Sequence, residues 1–149
     1  MSQAASIAQA VVSHLELSNI TFDSEFVNFQ RSWLPDVSVE DLAELKVFVT
    51  PRTQTTTMMT RRSLSDILQI DILIQKKLEQ GASESEALNE LDNLVDLVET
   101  IRNYVSGQDY LGTFFKSVSV EPLVAQEHLE SMRVFTSVVT LTLQDQQPF

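Results

Sequence analysis

Near the N-terminus, Ala4, Ile7, Ala8, Val11 and Leu15 recur at spacings of three and four, which gathers them on one helical face and predicts a short amphipathic helix. Ser2 stands where its hydroxyl can cap that helix by accepting from an unpaired amide. Downstream the spacing changes to strict alternation. From Phe22 to Trp33, Val27, Phe29, Arg31 and Trp33 share one phase and Phe22, Ser24 and Phe26 the other, which predicts an aromatic-rich strand. Pro35 and Asp36 interrupt it. VEDLAEL (Val39–Leu45) then predicts one helical turn, and LKVFVT (Leu45–Thr50) a β-branched strand stopped by Pro51.

Residues 51–65, PRTQTTTMMTRRSLS, are threonine-rich and lack glycine, so they suit an extended, solvated β-arm better than a two-residue turn. Leu68, Ile70, Ile72 and Ile74 alternate with Gln69, Asp71, Leu73 and Gln75, the pattern of a strand with one buried face; with the preceding strand and the arm it predicts a long hairpin. Gly81 ends that unit. Ser83 and Glu86 form an S-x-x-E capping pattern, followed by the apolar stripe Leu88, Leu91, Leu94, Val95, Val98, Ile101 and Val105. Glu84, Glu86, Glu90, Asp92, Asp96 and Glu99 are acidic, concentrated toward the helix start where the macrodipole favours them, and Gly107 closes the helix.

The last third predicts a strand at Phe114–Val120, a loop containing Pro122, and a strand at Arg133–Leu143 with Phe135, Val139, Leu141 and Leu143 on one face, Ser137 excepted. The polar tail from Gln144 reads as loose. The order α-β-β-β-α-β-β describes one α+β domain over residues 1–149. A single mixed or antiparallel sheet is flanked by the N-terminal helix and the long amphipathic helix, with an extended β-arm. The expected core joins Leu88, Leu91, Leu94, Val95, Val98 and Ile101 to Val47, Val49, Leu68, Ile70, Ile72, Phe135, Val139 and Leu141.

Charge narrows the function. With 21 acidic against 10 basic residues, the net charge is −11, which disfavours binding the outside of a nucleic-acid duplex because affinity there comes from cations displacing counterions. No cysteine is present, which removes disulfides, thiolate metal sites and a cysteine nucleophile. Met1–Leu17 lacks a basic leader, and no apolar run approaches the ~20 residues that span a bilayer, so neither a signal peptide nor a membrane segment is expected.

Motifs for catalysis are missing. Gly81, Gly107 and Gly112 are scattered and none opens a phosphate-binding loop. His14 and His128 lie outside any zinc-ligand spacing, and no serine sits in a nucleophile elbow. Pairs such as Asp66 with Asp71, or Glu90 with Glu99, would have acid–base chemistry only if folding brought them together; the alternative is that they coat a solvated helix face and punctuate strand ends. No catalytic residue, cofactor site or metal site is expected.

The positive signal is an asymmetry of charge. Residues 51–65 carry Arg52, Arg61 and Arg62 and no acid, whereas the long helix is acidic until Arg102. An arm reaching the acidic face of a neighbouring copy would join two different patches, a head-to-tail contact that closes into rings or runs on as filaments. The alternative is that both segments are solvated, since exposed ion pairs contribute only about 0–1 kcal/mol. Met58 and Met59 are adaptable side chains suited to a surface that packs on binding. Arg52, Met58, Met59, Arg61 and Arg62 are therefore the candidate inter-subunit or partner contacts.

The order of these elements resembles the tail terminator, or tail completion, proteins of long-tailed bacteriophages. The matching pieces are the N-terminal helix, LKVFVTP at Leu45–Pro51 with the arginine-bearing loop after it, DILQIDILIQKK at Asp66–Lys77, the long helix from Ser83, and MRVFTSVVTLTL at Met132–Leu143. The resemblance implies a sheet flanked by helices and a virion protein of the tail or neck, made in the host cytoplasm, with no catalytic activity. It further implies a ring, a hexamer in that family, that caps the tail tube, stops its polymerisation and docks the head-side neck or connector protein. DNA would pass through an acidic channel without specific binding, and no membrane is involved. Another head–tail connector or minor tail protein, or an unrelated non-enzymatic α+β binding module, fits the same composition.

Overall fold

The computed structural model describes residues 2–33, 42–60, 63–79 and 83–148. In chain order these form α1 (Gln3–Glu16), β1 (Thr21–Phe22), β2 (Glu25–Phe26), β3 (Phe29–Arg31), β4 (Lys46–Thr60), β5 (Ser63–Lys77), α2 (Glu84–Val105), β6 (Phe114–Val120), α3 (Gln126–Met132) and β7 (Val134–Pro148). Ser2 caps α1, its Oγ accepting from the Ala5 amide at 3.2 Å. The helical stripe is buried at Ile7, Ala8, Val11 and Leu15 and is widened by Ala5 and Val12.

Five strands build one mixed sheet in the order β3-β4-β5-β7-β6. The β3–β4 pair is parallel and the other pairs are antiparallel. The register sets out rows across the sheet. Val49, Ile72 and Val139 stand opposite one another, as do Ile70 and Leu141, and Leu68 and Leu143. These rows share one face because side chains alternate along each strand. α1 covers it over β3 and β4, and α2 over β6 and β7, giving a two-layer α+β fold. Leu68, Ile70, Ile72, Ile74, Phe135, Val139, Leu141 and Leu143 are completely buried, each contributing about 1.5–3 kcal/mol by transfer from water.

The segment expected to be one strand from Phe22 to Trp33 is divided. Asp23 and Ser24 take positive φ, 51° and 67°, between β1 and β2, whose register pairs Phe22 with Glu25. Positive φ at both central residues is the signature of a tight hairpin turn, and only Phe29–Arg31 joins the main sheet. The turn expected within Val39–Leu45 falls partly outside the described residues, as does Gly81; Leu42 is buried.

Pro51 does not stop its strand. β4 runs on to Thr60, with a register shift between Pro51 and Thr53 that leaves Arg52 as the extra residue. The Ser32 amide donates to the Val49 carbonyl at 3.0 Å, so the Val49 backbone faces the β3 side, and by alternation Pro51 faces it too. There β3 has already ended, so the missing N–H breaks no ladder bond; a bulge and an open edge are where sheets accept proline.

The C-terminal segment departs further. Gln144–Pro148, expected to be loose, continues β7 and pairs with Ser63–Ile67 of β5. α3 lies in the segment expected to be a loop. On α2, Ser83 Oγ accepts from the Glu86 amide at 3.2 Å, and Gly107 follows with φ +76°, a left-handed helix end that suits glycine. The buried stripe is Leu94, Leu97, Val98, Ile101 and Val105. Leu97 was not in the expected core. Leu88 was expected there but is 58% exposed, while Leu91 and Val95 are half-buried.

Glu90 is not part of a solvated acidic face. Lys76 points to the helix-covered side at the end of β5, and its Nζ donates to Glu90 Oε1 at 2.5 Å and to the Lys77 carbonyl at 3.2 Å. Both side chains are largely removed from water, so this pair fastens the first half of α2 to the sheet.

Candidate functional site

β3 ends opposite Val49, and β6 begins opposite Gln144. Beyond those two points only β4, β5 and β7 remain among the described residues, so Pro51–Thr60, Ser63–Ile67 and Asp145–Pro148 make a three-stranded arm extending from the five-stranded body. Residues 52–58 are all exposed.

Polar side chains order this arm and its base from within. Thr56 Oγ1 donates to Asp66 Oδ1 at 2.6 Å, Thr53 Oγ1 to Gln69 Oε1 at 3.0 Å and Gln144 Nε2 to Ser65 Oγ at 2.7 Å. At its base, Gln3 of α1 joins two strands: its Nε2 donates to Asp145 Oδ2 at 2.9 Å and its Oε1 accepts from Gln54 Nε2 at 3.4 Å. Gln3 and Asp145 are 142 positions apart, and no local pattern announces such a pair.

The candidate contact residues fall unequally on this frame. Arg52 occupies the bulge, exposed, with its Nε 3.9 Å from Asp71 Oδ2, a long surface pair of the kind that contributes about 0–1 kcal/mol. Met58 is 65% exposed. Met59 belongs to β4 by its backbone, and Arg61 and Arg62 lie outside the described residues. On α2, Glu84, Glu86, Asp92, Asp96 and Glu99 are exposed.

The carboxylate pairs weighed as acid and base are not brought together. Asp66 and Asp71 are an odd number of residues apart on β5 and so point to opposite faces. Asp66 bonds Thr56, and Asp71 accepts from Thr140 Oγ1 at 2.8 Å. Glu90 turns in toward Lys76, whereas Glu99, half a turn out of phase along the helix, is exposed.

The two histidines are also apart. His14 stacks on Tyr104, with ring centroids 4.4 Å apart, and its Nδ1 lies 2.9 Å from the Tyr110 hydroxyl, tying α1 to the end of α2 and the loop after it. Burial pushes the His14 imidazole below its ordinary pKa. Burial, and secondarily Tyr104, push the Tyr110 phenol well above its own. His128 Nδ1 meets Thr136 Oγ1 at 2.8 Å. Among the described residues, no group of three or more His, Asp or Glu side chains could hold a metal ion, and no helix is long and apolar enough to cross a membrane.

The arrangement offers strand edges and exposed side chains for contact with another macromolecule. No family model matches the chain, and no curated protein matches it.

Proposed function

We propose that this chain is a structural protein of a long-tailed bacteriophage virion that closes the tail tube as a ring, stops its polymerisation and presents the docking surface for the head-side neck. It acts by assembly and not by catalysis. The observation that carries this reading is the arm: a three-stranded extension whose β4 strand is exposed from Arg52 to Met58 and has no use in the packing of its own body. The resemblance of the element order to tail terminators supplies the kind of assembly. The acidic net charge of −11 supports a channel that DNA traverses without adhering, since like charge repels the polyanion.

The test joins solution mass to negative-stain imaging of the purified protein. A ring with a central hole, which binds one end of purified tail tubes and arrests their growth, is the expected result. A compact monomer at assembly concentrations would overturn the ring, and binding to the portal in place of the tube end would move the protein to the head side of the neck.

A further inference from the structure

Among the described residues the arm has two open sides. Along one, Pro51–Thr60 of β4 has lost β3; along the other, Asp145–Pro148 of β7 has not yet met β6. β4 and β7 are each antiparallel to β5, so the two open strands run in the same direction on opposite sides of one small sheet. Open edges are normally guarded, because unpaired backbone groups recruit other strands. β6, the outer strand of the body, is guarded: a register shift between Phe115 and Ser117 leaves Lys116 as the extra, exposed residue of a bulge. The β4 edge has its proline and one bulge at the base and a second register shift at the far end, between Met58 and Thr60, with an unbroken ladder between them. From Thr53 to Met58, TQTTTM, it carries no charge, glycine or proline.

We propose that the β4 edge of one copy pairs in parallel with the β7 edge of the next, so that the arms form a continuous sheet around the ring. This rests on the ring reading above. A second copy fits better than a foreign strand, because a foreign strand closes one edge and leaves the other open, whereas identical copies placed side by side close both. Ring closure abolishes edges altogether, and joining two different surfaces of one chain is the head-to-tail contact that closes into a ring. Charge does not oppose the pairing: residues 51–60 hold Arg52 and no acid, and residues 144–149 hold Asp145 and no cation.

The chain has no cysteine, so introduced thiols report without background. The variant carrying both Thr55→Cys and Gln146→Cys, treated with a short bismaleimide, is expected to give a ladder of covalent oligomers on a denaturing gel. Each single variant is expected to stay at monomer mass, with wild-type thermal unfolding confirming that the variants fold. Amides of residues 53–58 are expected to exchange hydrogen more slowly in the assembled than in the dissociated protein. A covalent dimer from Thr55→Cys alone would overturn the inference in favour of two β4 edges meeting about a twofold axis. Rings seen by negative stain without cross-linking in the double variant, and without slowed exchange, would overturn the edge pairing and leave the ring. A monomer at every concentration would remove both.

Discussion

The helix-covered body and the bare arm share β4, β5 and β7 yet are held in different ways. In the body, Leu68, Ile70, Ile72 and Ile74 of β5 sit under two helices without solvent contact, and burial of apolar surface dominates. In the arm and at its base, the same faces carry Thr53, Thr56, Asp66 and Gln144, which hydrogen-bond across the strands, each bond contributing about 0.5–1.5 kcal/mol net. One strand can thus be fixed by packing at one end and by its ladder at the other. A substitution should be costly in the first region and nearly silent for folding at the exposed β4 positions of the second that make none of these bonds.

The largest effect is expected at Leu94, completely buried between α2 and the sheet. Leu94→Ala should cost about 2–5 kcal/mol in urea denaturation, and a loss under about 1 kcal/mol would mean that the body does not depend on this packing. Next comes the fastening of α2. Glu90→Ala leaves the Lys76 ammonium without its carboxylate and should cost about 1–3 kcal/mol by the same measurement. Ser83→Ala should cost about 1 kcal/mol, with Ser83→Asp restoring most of it, since either side chain can accept from the Glu86 amide.

Acid titration tests the body at its other end. The half-buried His14 ring is held below its ordinary value of 6.5, so the unfolded chain takes up the proton first. The stability this group contributes is complete above pH 6.5 and is lost as the pH falls from there through the lower folded value. Melting temperatures of wild type and His14→Phe between pH 7.5 and about 4.5 should therefore converge toward the acid end; curves that stay parallel would mean that the ring titrates as it does in water. The smallest effect belongs to the arm. Met58→Ser should change folding stability by less than about 0.5 kcal/mol, and a loss several times larger would show that the arm is part of the core after all.

The body was legible because burial writes periodicity. β5 alternated, α1 repeated at three and four, and Ser83 with Glu86 marked the start of α2. Where the sequence misled, the deciding force was pairing or backbone shape. Gln144–Pro148 has no apolar phase and is a strand because β5 lies beside it. α3 has no buried residue and no side-chain cap, so neither periodicity nor capping could reveal it. The hairpin at Asp23–Ser24 uses positive φ without glycine, and Pro51 is tolerated because a neighbouring strand ends first. Of the candidate site, composition singled out the β4 side of the arm through its arginines and missing acids. The β7 side, with Gln3 and Asp145, depended on strand order and could not be anticipated.

The length of β5 has a mechanical consequence. Its 15 residues span about 50 Å at ~3.3 Å each, so one uninterrupted strand runs from the tip of the arm into the helix-covered core, with β4 and β7 alongside for most of that distance. A pull on the arm along the strands loads many ladder bonds at once, in shear, and carries the tension to the most densely packed part of the molecule. A sideways pull would instead peel the bonds singly from the tip. Forced unfolding through handles at the arm and at α2 should show the first direction resisting more than the second, making the arm a tie rod along its length and a hinged flap across it.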